Sequence, residues 1–196
     1  MRIALDVSPL ARDRAGIGTY AAHLLTALVR IAPEHDYWLY TPHPLPEKDR
    51  VVFGAYLNVR IVRCPALLMG FLARWDRIDL FHGLNFKLRG QGRYGSVVTI
   101  HDLAADRLRL PSRKLFGQRR SFLRTKRTAL RASRVVTVSE HSAKDIAELY
   151  GVPRERIAVV SNAVGPEFYP IGDPGTRAAV MTRYGIRREE IGRAHV

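Results

Sequence analysis

The chain has 196 residues, 46% apolar, 26% charged and 9% aromatic, a globular balance that excludes wholesale disorder and a coiled coil. Its single cysteine, Cys64, excludes an intrachain disulfide framework and a cysteine-built zinc site, and its apolar neighbours predict a small buried side chain. Thirty-two basic residues against 18 acidic ones give +14, and eleven of the basic ones fall between positions 107 and 134, where no acid stands.

One surface is therefore predicted to be strongly electropositive and the remainder nearly neutral. That favours an anionic partner: lipid head groups, a phosphorylated substrate or nucleic acid. The longest apolar stretches, 15–29 and 64–73, fall short of the ~20 apolar residues that a bilayer helix needs. Asp6 interrupts the first apolar run, so no signal peptide is predicted. A cytoplasmic protein is expected.

Residues 2–7 (RIALDV) read as a buried strand, followed by a loop of turn formers over 11–18. A helix is predicted from Thr19 to before Pro33, because Tyr20, Ala21, Leu24, Leu25 and Leu28 recur at the spacing of one buried face. Strands follow at 37–41 and 57–62, then a helix at 65–75 with proline in its first turn. Residues 80–83 and 96–101 read as buried strands, 112–132 as a long helix and 134–139 as a strand. A helix at 141–149, closed by Gly151, leads to a last strand at 156–161. Continuous apolar runs separated by helices predict an α/β fold, a Rossmann-like parallel sheet with helices on both faces.

After Asn162 the composition changes. Gly165, Pro166, Pro170, Gly172, Asp173, Pro174 and Gly175 read as a linker, followed by a short helix at 176–184. Residues 1–165 are expected to form one domain, and 166–196 a linker with the truncated start of a second. A reading frame cut short is the expectation.

Several residues carry potential chemistry. Gly16 and Gly18 sit between the first strand and first helix, where a backbone can approach an anion at a helix N-terminus; a plain tight turn explains them as well. No ribose-binding acid stands at the dinucleotide spacing, which disfavours NAD chemistry. His101 and Asp102 end the strand SVVTIHD, and His82 ends the neighbouring LFH. In an open parallel sheet, polar strand ends face the ligand crevice, where an imidazole can bond a hydroxyl or take a proton. Ser139 follows another strand and reads as an N-cap for the next helix. Arg120, Arg124, Arg127 and Arg131 form a stripe along helix 112–132, open to an anionic lipid, a phosphate or plain solvent. No aromatic interleaves the stripe, so nucleic acid is not expected.

The segments DVSPLARDRAGIGTYAAHLLTAL, VTIHDL, VVTVSEHSAKDI and IAVVSNAVGPEFYP, in that order, resemble the N-terminal half of family-four glycosyltransferases. The resemblance implies a GT-B fold, two Rossmann-like domains facing a cleft. It further implies transfer of a sugar from a nucleotide donor with retained anomeric configuration, and no cofactor or metal ion. The opening segment is most similar to mannosyltransferase-like members, which makes GDP-mannose the implied donor. His101 is implied to contact the transferred sugar, Gly16 and Gly18 to approach donor phosphates or acceptor, and Asp102, His82 and Ser139 to line the substrate site. A glycan or lipid-linked acceptor is implied, with peripheral contact to the inner membrane face through the arginine stripe. The donor-gripping residues of the family lie in its second domain, so the given chain is expected to be inactive alone. The alternative is a non-catalytic polyanion-binding module. Where the family has N-G-V, this chain has Asn162-Ala163-Val164, costly only if that position needs a positive φ.

Overall fold

The structure, a computed structural model, describes residues 1–11, 16–107, 115–165, 168–170 and 172–186. Strand β1 (Arg2–Asp6) passes through a 3₁₀ turn at Ser8–Ala11 and α1 (Gly16–Ile31) into β2 (Asp36–Thr41). Helix α2 (Glu47–Gly54) leads to β3 (Val59–Arg63), and α3 (Met69–Trp75) to β4 (Leu80–Gly83). After β5 (Gly95–Thr99) come α4 (Ala104–Arg107), α5 (Leu115–Arg131) and β6 (Arg134–Thr137). Helix α6 (Glu140–Asp145) continues as a π turn over Ile146–Tyr150, and β7 (Ile157–Val159) closes the sheet.

All seven strands pair in parallel, in the order β3-β2-β1-β4-β5-β6-β7. The Rossmann-like sheet read from the apolar runs is thus present. Both of its faces are covered, and alternation along the strands shows how. Leu5, Tyr37 and Leu39 pack with Leu25 and Val29 of α1 and Phe53 of α2. Their neighbours Ala4, Trp38, Tyr40 and Phe81 point the other way, onto Met69 and Ala73 of α3. Val98 stands opposite Gly83 in register, on the Phe81 side, and packs on α5 and α6 through Ala129, Ala132, Ala143 and Ile146. Each buried aliphatic side chain contributes roughly 1.5–3 kcal/mol of hydrophobic stabilisation, so this two-sided burial is what holds the strand ends in register.

Differences from the sequence reading are local. Helix α1 begins at Gly16 rather than Thr19, so Gly16 and Gly18 lie inside its first turn instead of a preceding loop. Helix α3 begins at Met69; Pro65 instead opens a turn in which Leu68 N donates to its carbonyl at 2.9 Å. Helix α2 was not predicted, because Asp49 and Phe53 are its only buried positions. Asn162 and Ala163 adopt ordinary φ, so alanine carries no backbone cost there. Gly151 closes the α6 helix with φ 73°, donating to the Ala147 carbonyl. Cys64 is buried, and burial pushes its thiol pKa up.

Two compact units divide the chain, Met1–Asn162 and Ala163–Val196. The second holds α7 (Pro174–Tyr184), two residues longer than predicted because Pro174 occupies a first-turn position where its missing N–H costs nothing. Asp173 caps it, accepting from Thr176 N at 2.7 Å.

Candidate functional site

Strand β1 lies between β2 and β4, so the chain runs outward on one side and returns on the other. The crevice beyond the carboxyl ends of β1 and β4 is therefore the topological switch point, the place where open α/β sheets bind ligands. Three strand ends and the first turn of α1 meet there.

At the end of β1, the buried Asp6 carboxylate accepts from Ser8 N at 3.1 Å, from the Ser8 hydroxyl and from the Arg89 guanidinium. Arg89 also donates to Ser8 Oγ at 3.0 Å. Arg89 reaches this point because the chain leaves β4 by folding back across it. Gly83 permits the fold, since any Cβ there would overlap the Lys87 carbonyl.

A second network joins β4, β5 and α1. His82 Nε2 and Thr99 Oγ1 share a hydrogen bond of 2.9 Å, and the Tyr20 hydroxyl lies 3.3 Å from the same oxygen. Burial pushes the His82 pKa down to about 4, so its ring is neutral at pH 7. His101, just past β5, donates from Nε2 to the Leu84 carbonyl at 3.1 Å. It sits edge-on to Tyr20, with ring centroids 4.8 Å apart, and 5.8 Å from Phe86. Burial lowers its pKa, against the raising effects of the Leu84 bond and the Asp102 charge. A neutral imidazole that donates from Nε2 offers Nδ1 as its acceptor, and Nδ1 makes no hydrogen bond among the described residues.

The remaining sequence candidates fall around this centre. Asp102 is exposed and accepts from Ala104 N at 3.0 Å, capping α4. Ser139 is the predicted N-cap, accepting from Ser142 N at 3.1 Å. The Ser142 hydroxyl in turn donates to the His101 carbonyl at 3.3 Å. Gly18 is buried in α1, and a Cβ on Gly16 would meet nothing within 4 Å. Asp6 and Tyr20 carry only strand and helix signals in the sequence, and Ser8, Arg89 and Thr99 carry no site signal there. The contacts that give Asp6, Tyr20 and Thr99 their role join residues about eighty positions apart, beyond any local pattern.

Beside the strand ends lies a recess of about 950 Å³, lined by Lys87, Arg89, Asp102, Arg124, Arg127 and Arg131, among others. Three arginines of the sequence stripe thus face a hollow; the side chain of Arg120 lies outside the described residues. Among the described residues, no three His, Cys, Asp or Glu side chains gather as a metal site. No described helix is long and apolar enough to cross a membrane.

The model of Glycosyltransferase Family 4 matches residues 14–168, a span that holds Tyr20, His82, Arg89, Thr99 and His101. The chain belongs to glycosyltransferase family 4. Solved GT-B glycosyltransferases share the fold of this family-4 chain. Anabaena HepE, solved in complex with UDP, is 16% identical, with a TM-score of 0.61, 94% of this chain covered and 50% of HepE. Sucrose-phosphate synthase from Thermosynechococcus elongatus is 16% identical, with a TM-score of 0.62 and coverages of 95% and 53%. A glycosyltransferase from Rickettsia africae is 11% identical, with a TM-score of 0.53 and coverages of 95% and 50%. The family-4 chain therefore spans about half the length of the solved proteins it matches. No curated protein matches it in sequence.

Proposed function

We propose that this chain supplies the acceptor-side half of a retaining glycosyltransferase, moving a hexose from a nucleotide sugar to a glycan or lipid-linked acceptor. Family membership supports sugar transfer. The coverage of half of each solved neighbour supports a donor-gripping second domain outside residues 1–165. Polysaccharide or glycolipid synthesis at the inner membrane face is the setting this reading gives it.

The observation that carries the proposal is the fixed imidazole of His101. Its Nε2 is committed to Leu84, its ring is held by Tyr20 and Phe86, and its pKa is lowered. The neutral ring accepts a hydrogen bond from a sugar hydroxyl through Nδ1 without adding a full charge beside the leaving phosphate. The first turn of α1 contains no acid, so its free N–H groups present partial positive charge to an anion. His82, Asp102 and Ser139, at or just past the ends of β4, β5 and β6, are assigned to the substrate-facing rim in this reading. HepE has been solved with UDP and with UDP-glucose, whereas the opening segment resembles GDP-mannose users; both donors therefore belong in the test.

The test joins this chain to a donor-binding domain of the GT-B type and supplies radiolabelled GDP-mannose or UDP-glucose with a lipid extract as acceptor. Transfer by the joined protein, and none by the 196-residue chain alone, is the expected result. His101→Ala is expected to lower turnover by about ten- to a thousandfold with an unchanged circular dichroism spectrum. Full turnover by the short chain overturns the two-domain reading. A wild-type rate in His101→Ala removes that residue from the site.

A further inference from the structure

In this sheet the crossovers from β1, β2, β3, β5 and β6 each carry a helix, but the one from β4 to β5 has none. Phe86 N donates to the Thr99 carbonyl at 3.0 Å and Arg93 N to the Ile78 carbonyl at 2.8 Å. The segment thus runs back along the strands as a thin extended chain. A chain of that width does not fill the space of a crossover helix, and the recess of about 950 Å³ lies between it and α5. Leu88, Leu103 and Tyr150 contribute apolar lining.

The charge of the recess is one-sided. Arg124, Arg127 and Arg131 stand at i, i+3 and i+7 on α5, so all three occupy one helix face over about 10 Å. Lys87 joins them from the crossover, and Arg89 is already committed to Asp6. Lys87, Arg124, Arg127 and Arg131 form no ion pair among the described residues, although Arg107, Lys144 and Arg154 each find a carboxylate. Asp102 is the one acid among the described lining residues, and it sits next in sequence to His101. Four unpaired cations held around one hollow repel one another until an anion enters.

We infer that this recess binds a diphosphate group, with Arg124, Arg127, Arg131 and Lys87 as its partners and the rest of the ligand directed past Asp102 toward His101. This rests on the glycosyltransferase reading only in making the diphosphate part of the acceptor; the anion site itself does not need it. Arginines on successive turns suit two linked phosphates better than one, because each guanidinium offers a planar fork to a separate group of oxygens. A concave, partly apolar setting suits a discrete ligand better than a flat bilayer or a duplex.

The test uses the whole 196-residue chain and isothermal titration with inorganic pyrophosphate and with orthophosphate. Pyrophosphate is expected to bind at least about tenfold more tightly than orthophosphate. Arg124→Gln with Arg127→Gln is expected to weaken it by about tenfold or more, while Arg50→Gln on α2 leaves it unchanged. Vesicles of phosphatidylcholine carrying farnesyl diphosphate separate a lipid-borne diphosphate from a free one, and either source supports the site. Binding only to phosphatidylcholine–phosphatidylglycerol vesicles, only to duplex DNA, or to none of these probes overturns it. His101→Ala is expected to leave pyrophosphate affinity intact, so a failed transfer assay and a failed anion site give different results.

Discussion

The strand-end network and the α5 recess are neighbours built on opposite principles. Around Asp6, Thr99 and His101, polar groups are paired within the chain: Asp6 with Arg89 and Ser8, His82 with Thr99, His101 with Leu84. Along the recess, Lys87, Arg124, Arg127 and Arg131 have no carboxylate partner among the described residues. Paired groups fix geometry before a ligand arrives, whereas unpaired charges gain most of their stabilisation when one does. Substitutions should therefore cost folding in the first region and binding in the second.

The largest effect is expected at the ion pair. Asp6→Ala leaves the Arg89 guanidinium without its carboxylate in a partly buried site and should lower unfolding free energy by about 3–5 kcal/mol. Chemical denaturation at neutral pH measures it, and a loss below about 1 kcal/mol would reduce the pair to a surface contact. The next effect is a pH dependence. His82 has a folded pKa of about 4 against the ordinary 6.5, so between these values the unfolded chain binds a proton that the folded one refuses. Its contribution is intact above pH 6.5 and is lost as pH falls toward 4, by up to about 3 kcal/mol. Denaturant midpoints at pH 7 and pH 4.5 should differ less in His82→Asn than in the parent; an equal drop in both places the acid sensitivity elsewhere. The smallest effect sharpens the contrast. Arg124→Gln, Arg127→Gln and Arg131→Gln together should change stability by no more than about 0.5 kcal/mol, with any change toward greater stability. A large loss would mean that these side chains support the fold rather than await a ligand.

The strands were legible because runs such as RIALD and LFH are apolar on both faces, as a covered parallel sheet requires. Helix α2 was hidden because it places little more than Phe53 in the core. Tyr20 was read correctly as facing inward, yet periodicity is blind to its hydroxyl, which meets Thr99 from 79 positions away. The strand-end histidines stood out because two of them, His82 and His101, finish successive apolar strands. Asp6 gave no comparable signal, since an acid after RIAL looks like any strand terminus until Arg89 folds onto it. The arginine stripe was visible at helical spacing. Its hollow was not, because that depends on the missing crossover helix, and an eleven-residue gap between two strands does not announce which shape it takes.

The sheet order also leaves β3 at an edge, with no strand partner on one side among the described residues. That flank displays backbone amides and carbonyls to any passing extended peptide, the usual route to fibrillar association. Arg60 and Arg63 project from this strand, both exposed, and Arg60 lies over the Trp38 ring at 5.2 Å. Two like charges on so short a margin make a second copy repel rather than dock. Exchanging both residues for threonine should therefore raise the tendency to self-associate, which light scattering at rising concentration measures.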